Sequence, residues 1–259
     1  MTKILNIAVD AMGGEGSPKK SIDGIIHHSK TTENVNYNIF GDEKEIKGLI
    51  KDLGKNSFKI FETKDQIFDT DSPLTAARKG KNSSMWKAIE SVKSKESDIV
   101  ISAGNTGALF VIAKMNLKMI ENIDKPALSA LWPNKSGMNV VLDLGANIEC
   151  SEKNLTDFAI MGSSLFKSLF PKEQPKVALL NIGSEDTKGN EIIKTAHKIL
   201  SEKKSNEFNF SGYIEGNNIM SGDVNVIVTD GFTGNIALKT AEGTANFIMK
   251  ELKNSMTSN

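Results

Sequence analysis

The stretch Ser97–Asn116, SDIVISAGNTGALFVIAKMN, decides the fold. Asp98–Ser102 is a short run rich in Ile and Val, with charge before it and Gly after it, and reads as a buried parallel strand. Ala103-Gly104-Asn105-Thr106-Gly107 then turns the chain. Ala108–Met115 is apolar, made of good helix formers, and reads as a helix leaving directly from the turn. A strand, a Gly-rich turn and a helix N-terminus aim several backbone N–H groups and a positive dipole end at one spot. Phosphate is the natural occupant. Tight packing alone can also place Gly in one such turn, so the rest of the chain has to decide.

Outward from this stretch the alternation continues. Upstream, Ile4–Asp10, Tyr37–Phe40 and Phe58–Glu62 read as strands. Helices are expected over Pro18–Ser29, with Pro in its first turn, and over Glu43–Leu53 on the spacing of Ile46, Leu49 and Ile50. Residues 63–84 are polar and irregular, with Asp65, Asp69 and Asp71 ahead of Arg78, Lys79 and Lys81. That is either solvated surface or an arm that carries cations to a phosphate site. Ser83 or Ser84 can cap a helix over Met85–Ser94. Downstream, Ala127–Trp132 is another apolar run, and Val140–Leu144, Val177–Ile182, Phe208–Glu215 and Val224–Thr229 read as strands. Helices are expected from a Thr156 cap to Phe170, over Glu191–Ser201 and over Ile236–Lys253. Strand and helix alternating throughout imply an α/β sandwich with a largely parallel sheet, read as a single domain over residues 1–259.

Composition narrows the function. Lys plus Arg and Asp plus Glu are 32 each, so the net charge is zero and a dedicated nucleic-acid binder is not indicated. The single cysteine, Cys150, leaves no internal disulfide and no CxxC metal site, which fits a reducing cytoplasm. The N-terminus lacks a signal-peptide pattern, and no run approaches the ~18 apolar residues of a membrane span.

In an open parallel sheet, ligands lie beyond the carboxyl ends of the strands. The turns there share a pattern: Asp10 with Gly13-Gly14, Gly104-Asn105-Thr106-Gly107, Gly145-Ala146-Asn147, Gly183 through Glu185 and Lys188 to Asn190, and Asp230-Gly231-Phe232-Thr233-Gly234-Asn235. Gly lets backbone approach a ligand, and Asn and Thr add uncharged donors, so these turns are expected to share an anion-binding cleft. Familiar nucleophiles are absent: Cys150 reads as an inert thiol, His27, His28 and His197 lie on helices, and no GxSxG, P-loop or GxGxxG fingerprint occurs. Asp10, Asn105, Glu185, Lys188, Asp230 and Asn235 remain, with Arg78 as a visitor. They suit a reaction in which phosphate itself is the nucleophile, and neither metal nor organic cofactor is called for.

IAVDAMGGEGSP, RKGKNSSM, SAGNTGAL, LDLGAN, NIGSEDTKGNE and VTDGFTGNIALKTAEG together resemble the PlsX-type phosphate acyltransferases of bacterial phospholipid synthesis. The resemblance runs in order from Ile7 to about Glu242. It implies a Rossmann-like three-layer α/β/α sandwich related to phosphotransacetylases and isocitrate-type dehydrogenases. It implies acyl transfer from acyl carrier protein to inorganic phosphate, a homodimer, and peripheral contact with the inner face of the cell membrane. Lys188 and Asp230, with Asn105, then become the catalytic candidates, and the other turn residues bind phosphate and substrate. The chain departs from the pattern in Gly14-Glu15, where the family usually has Gly-Gly-Asp, and in ending before the family's C-terminal portion. Two other readings stay open: a short-chain phosphotransacetylase using acyl-CoA, and a non-catalytic scaffold that binds carrier protein.

Overall fold

The computed structural model describes residues 4–50, 53, 56–202 and 206–257. The chain divides into two compact units, Met1–Met119 and Ile120–Asn259. The expected α/β sandwich with largely parallel strands is present, as one sheet in each unit.

In the N-terminal unit the elements run β1 (Leu5–Asp10), α1 (Lys19–Ser29), β2 (Val35–Gly41), α2 (Glu43–Leu49), β3 (Ser57–Glu62), α3 (Pro73–Lys79), α4 (Ser84–Lys93), β4 (Ile99–Ser102) and α5 (Thr106–Leu117). The four strands are parallel, in the order β3-β2-β1-β4. Successive side chains of β1 face opposite ways, as a strand requires. Ile7 and Val9 pack with Ile22 and Ile25 of α1 and Ile46 of α2. Ala8 packs with Phe40 and with Ala88 of α4 on the other face. Helix, sheet and helix therefore form three layers.

Three expectations change in this unit. The strand at Asp98–Ser102 is not buried: among the described strands β4 pairs with β1 alone and is an edge, with Ile99 48% and Ile101 52% exposed. Its composition reports burial on both faces, but in this sheet only one face is covered. The segment 63–84 is not irregular throughout. It holds α3, capped by Ser72, started by Pro73 and anchored by buried Ala76 and Ala77 against Ile67 and Trp86. Its polar composition hid an apolar face only two alanines wide. Helix α2 ends at Leu49, where Ile50 turns extended; the expected span continued over residues 51 and 52, which lie outside the described residues.

The C-terminal unit runs β5 (Ser129–Asn134), β6 (Gly137–Leu142), α6 (Glu152–Leu169), β7 (Lys176–Asn181), α7 (Glu191–Glu202), β8 (Asn209–Glu215), β9 (Val226–Val228) and α8 (Gly231–Thr257). The order is β5-β6-β9-β7-β8, parallel except for the β5–β6 hairpin. Pro133 fits because β5 is an edge strand. Along β7, Val177 and Leu179 face Phe158 and Phe166 of α6, while Ala178 and Leu180 face Trp132 and Leu238. Phe158 and Phe166 are fully buried, and each contributes about 2–3 kcal/mol by leaving water.

Helix starts come earlier than the sequence suggests. Helix α6 begins at Glu152 under a capping box made by Ser151 and Asn154, so Thr156 lies inside it. Helix α8 begins at Gly231 and not at Ile236, and α5 at Thr106 and not at Ala108. The Gly-rich turns are themselves the first turns of helices. Glycine lowers helix propensity, but a good N-cap outweighs it over one turn.

Candidate functional site

In the N-terminal unit the sequence singles out Asp10, Gly13, Gly14, Arg78, Gly104, Asn105, Thr106 and Gly107. The β1 and β4 turns meet: a Cβ on Gly13 would stand 2.9 Å from the Gly104 nitrogen and 2.5 Å from Asp10 Oδ2. Gly14 has φ +86° and lies against the Ala103 carbonyl, a position only glycine fills without strain. Asp10 is 1% exposed. Ser84 Oγ donates to its Oδ1 at 2.5 Å and Ser102 Oγ to its Oδ2 at 2.6 Å. Burial raises the Asp10 carboxyl above its ordinary value, and these hydroxyls and the Met12 and Gly13 backbone pull it back in part.

Asn105 is equally occupied. Its Oδ1 accepts from Ala108 N at 2.9 Å, capping α5. Its Nδ2 donates to the carbonyls of Phe68, Asp69 and Asp71, at 2.9 Å for the last. It clamps the 68–71 loop to the start of α5. Gly107 lets Pro73 approach, since a Cβ there would meet Pro73 Cγ at 2.6 Å. Thr106 and Arg78 are exposed.

In the C-terminal unit the singled-out residues are Asn147, Gly183, Glu185, Lys188, Asn190 and Gly231 through Asn235 with Asp230. Strands β6, β7 and β9 are parallel neighbours, so the helices that follow them start from one edge. Their cap residues Ser151, Asn190 and Asp230 line one cavity of about 730 Å³, with Phe232 and Thr233. Asn190 Oδ1 accepts from Ile193 N at 2.9 Å, and Asp230 accepts from Thr233 N and Oγ1 at 2.8 and 3.0 Å. Each helix end carries about half a positive charge toward the cavity. Lys125, Glu149 and Glu152 also line it.

The 145–147 turn packs on the start of α8. Gly231 N donates to the Asn147 carbonyl at 2.8 Å, and Gly234 has no room for a Cβ beside the Asp143 carbonyl. Gly145 faces Asn235, whose Cβ would be 3.4 Å from a Cβ on that glycine. The loop of Gly183, Glu185 and Lys188 is closed by Asn181, whose Nδ2 donates to the carbonyls of Gly183 at 3.0 Å and Lys188 at 3.2 Å. Lys188 itself is exposed, and among the described residues it forms no ion pair.

Sequence reading missed Ser84, Ser102, Asp143, Asn181 and Lys125. Asp143 is fully buried; its carboxylate accepts from the N–H groups of Leu128, Gly145, Ala146 and Asn147 and from Asn147 Nδ2. One signal marks most of them: a polar residue closing an apolar strand, as in Ser102, Asp143 and Asn181. Cys150 lines the same cavity as Asn190 and Asp230, but burial pushes its thiol up, with only partial relief from the Gly231 N–H, so it stays protonated. Among the described residues no group of His, Cys, Asp and Glu is arranged to hold a metal ion.

The chain is similar to known proteins over its whole length. A family described as "Fatty acid synthesis protein" matches residues 5–259. A phosphate acyltransferase from Pelagibacter ubique (strain HTCC1062) is 69% identical over 259 residues, covering 100% of this chain and 78% of that protein. One from Maricaulis maris (strain MCS10) is 43% identical, covering 100% of this chain and 74% of its own. Among solved structures, a phosphotransacetylase from Streptococcus pyogenes superposes with a TM-score of 0.69 at 17% identity, covering 95% of this chain and 83% of its own. One from Staphylococcus aureus reaches 0.62 at 19% identity, covering 93% and 82%. The structural likeness carries the Rossmann-like sandwich, and the sequence likeness carries the chemistry: the chain belongs to the phosphate acyltransferase family and is an enzyme that transfers an acyl group to phosphate.

Proposed function

We propose that the acyl donor is a fatty acyl thioester of acyl carrier protein and that the product is a fatty acyl phosphate for phospholipid synthesis. The observation that carries the phosphate half of this reading is the cavity shared by Asn190, Asp230, Phe232 and Thr233 at three helix N-termini. A phosphate oxygen attacks the thioester carbonyl carbon, a C–O bond forms and the carbonyl oxygen becomes an oxyanion. The oxyanion collapses, the C–S bond breaks, and the carrier thiolate leaves and takes a proton. Enzyme nucleophiles are not needed, because phosphate is one.

Lys188 offsets the developing negative charge, and its exposed ammonium is available for it. Asp230 orients the phosphate or accepts its proton. In the N-terminal unit, the backbone N–H groups of the Gly104–Gly107 turn serve substrate binding, with Asn105 and Asp10 holding that turn in place. Arg78, exposed near the end of α3, meets the acidic carrier or the phosphate. The reading includes a homodimer, supported by the exposed Phe247, Ile248, Leu252 and Met256 of α8. It also includes a cytoplasmic enzyme with peripheral contact at the inner face of the cell membrane. No described helix is long and apolar enough to cross one.

The test supplies palmitoyl acyl carrier protein and inorganic phosphate to the folded protein. Acyl phosphate released in step with free carrier thiol is expected. Turnover of acetyl-CoA with none of the carrier substrate would overturn the donor assignment.

A further inference from the structure

A second cavity, of about 370 Å³, lies within the N-terminal unit beneath α1. Its walls are Val9, Ile25 and Ile101. Ile7, Tyr37 and His28 close one end, and Asp10, Lys20 and Ser102 stand at the other. The strand register gives its direction. Ile7 pairs with Tyr37 and with Ile99, and Asp10 pairs with Ser102, so the cavity descends from the carboxyl end of β1. Over three residues of strand that is about 10 Å.

Apart from Lys20, the polar side chains around it are engaged with one another or with near neighbours. Tyr37 Oη lies 2.7 Å from His28 Nδ1, and Asp10 accepts from Ser84 and Ser102. Along its length an occupant therefore gains by apolar burial, and Lys20 is the one lining cation at its polar end. The polar end is the Asp10–Ser102 pair, next to the Gly13–Gly104 contact of the binding turn. Gly24 of α1 borders the cavity, and a Cβ there meets nothing within 4 Å.

We infer that this cavity is the acyl subsite: it takes a fatty acyl chain tail-first along β1, with the polar end of the chain toward the Gly13–Gly104 turn. This rests on the acyl-transfer reading above and adds to it a place and a length. A methylene fills about the ~30 Å³ of a water molecule in the liquid, so the cavity holds about a dozen carbons. Each methylene buried strengthens binding about 4-fold, so affinity rises with chain length and levels off once the cavity is full.

The experiment titrates the whole protein with a fluorescent polyene fatty acid and displaces it with saturated acids of 4 to 16 carbons. Displacement is expected to tighten about 4-fold per methylene and to flatten near a dozen carbons. Gly24→Leu, which fills the cavity, and Ile101→Gln, which makes its half-exposed wall polar, should each weaken probe binding at least about 10-fold. Both should lower the ratio of long-chain to short-chain acyl transfer. Probe binding that is absent in the natural chain, or unchanged in both variants, overturns the inference. So does a second copy of the chain that covers Ile101 and excludes the probe, read by sedimentation. If the probe binds and Gly24→Leu abolishes it while the natural chain makes no acyl phosphate, the cavity stands and the acyl-transfer reading falls.

Discussion

The strand-end turns of the two units use similar residues in opposite ways. In the N-terminal unit the polar side chains are turned inward. Asp10 is sealed between two serines, and Asn105 is spent on one cap and one loop. In the C-terminal unit the inward work falls to Asp143 and Asn181, and this leaves Asp230 and Thr233 at the surface of a cavity and Lys188 exposed on its loop. The lesson is that Asp or Asn beside Gly does not by itself mark chemistry. A carboxylate with every oxygen satisfied builds the turn, and a cation left exposed at the next turn can act on a ligand.

The sharpest way to break this contrast is at Gly234. A methyl there falls on the Asp143 carbonyl, so Gly234→Ala should cost about 3 kcal/mol or more of stability, read by denaturant unfolding. A near-normal unfolding midpoint would mean that α8 is not seated on the 143–147 turn. Next in size, Lys188→Ala should lower turnover about 100-fold while the melting temperature stays put. Asp230→Ala should lose a similar factor in rate and about 1 kcal/mol of stability, because the residue also caps α8. If Lys188→Ala keeps its rate, that lysine leaves the mechanism. Asn105→Ala should show the reverse balance, losing about 1–2 kcal/mol of stability and less than about 10-fold in rate. A larger rate loss with the stability intact would move Asn105 to the reacting atoms.

The smallest effect is read against pH. Burial holds the Asp10 carboxyl above its ordinary 3.8 in the folded chain. Between the unfolded and folded values the folded state binds more protons, so stability falls as pH rises through that window. The contribution is fully present below the unfolded value and lost above the folded one. Asp10→Asn lacks this titration, so its stability relative to the natural chain should improve from pH 4 to pH 8. A constant difference over that range would show that the serine hydroxyls compensate the burial in full.

Much of this was legible in the residues. The apolar runs at 5–10, 176–181 and 226–228 locate strands because parallel strands are buried on both faces, whereas the starts of α5 and α8 lie inside Gly-rich turns that low helix propensity marks as loop. The same rule misjudged β4, since Ile99-Val100-Ile101 reads as buried whether or not a neighbour covers it. Helix α3 was invisible because its buried face is two alanines. Asn190, Asp230, Phe232 and Thr233 stand in strand-end turns that the sequence marks and line one cavity, while Lys125 stood on no motif and reaches that cavity only through the fold. The roles of Asp10 and Asn105 depend on which donors fold back onto them, and spacing along the chain does not encode that.

The central claim is acyl transfer to phosphate, and product balance tests it most directly. The folded chain would be given palmitoyl acyl carrier protein with phosphate labelled in its oxygens, and acyl phosphate and free carrier thiol would be counted together. The account predicts equal amounts of both, label in the acyl phosphate, and loss of both in Lys188→Ala. Free thiol accompanied by fatty acid and no labelled acyl phosphate would contradict it, because water and not phosphate would then be the nucleophile.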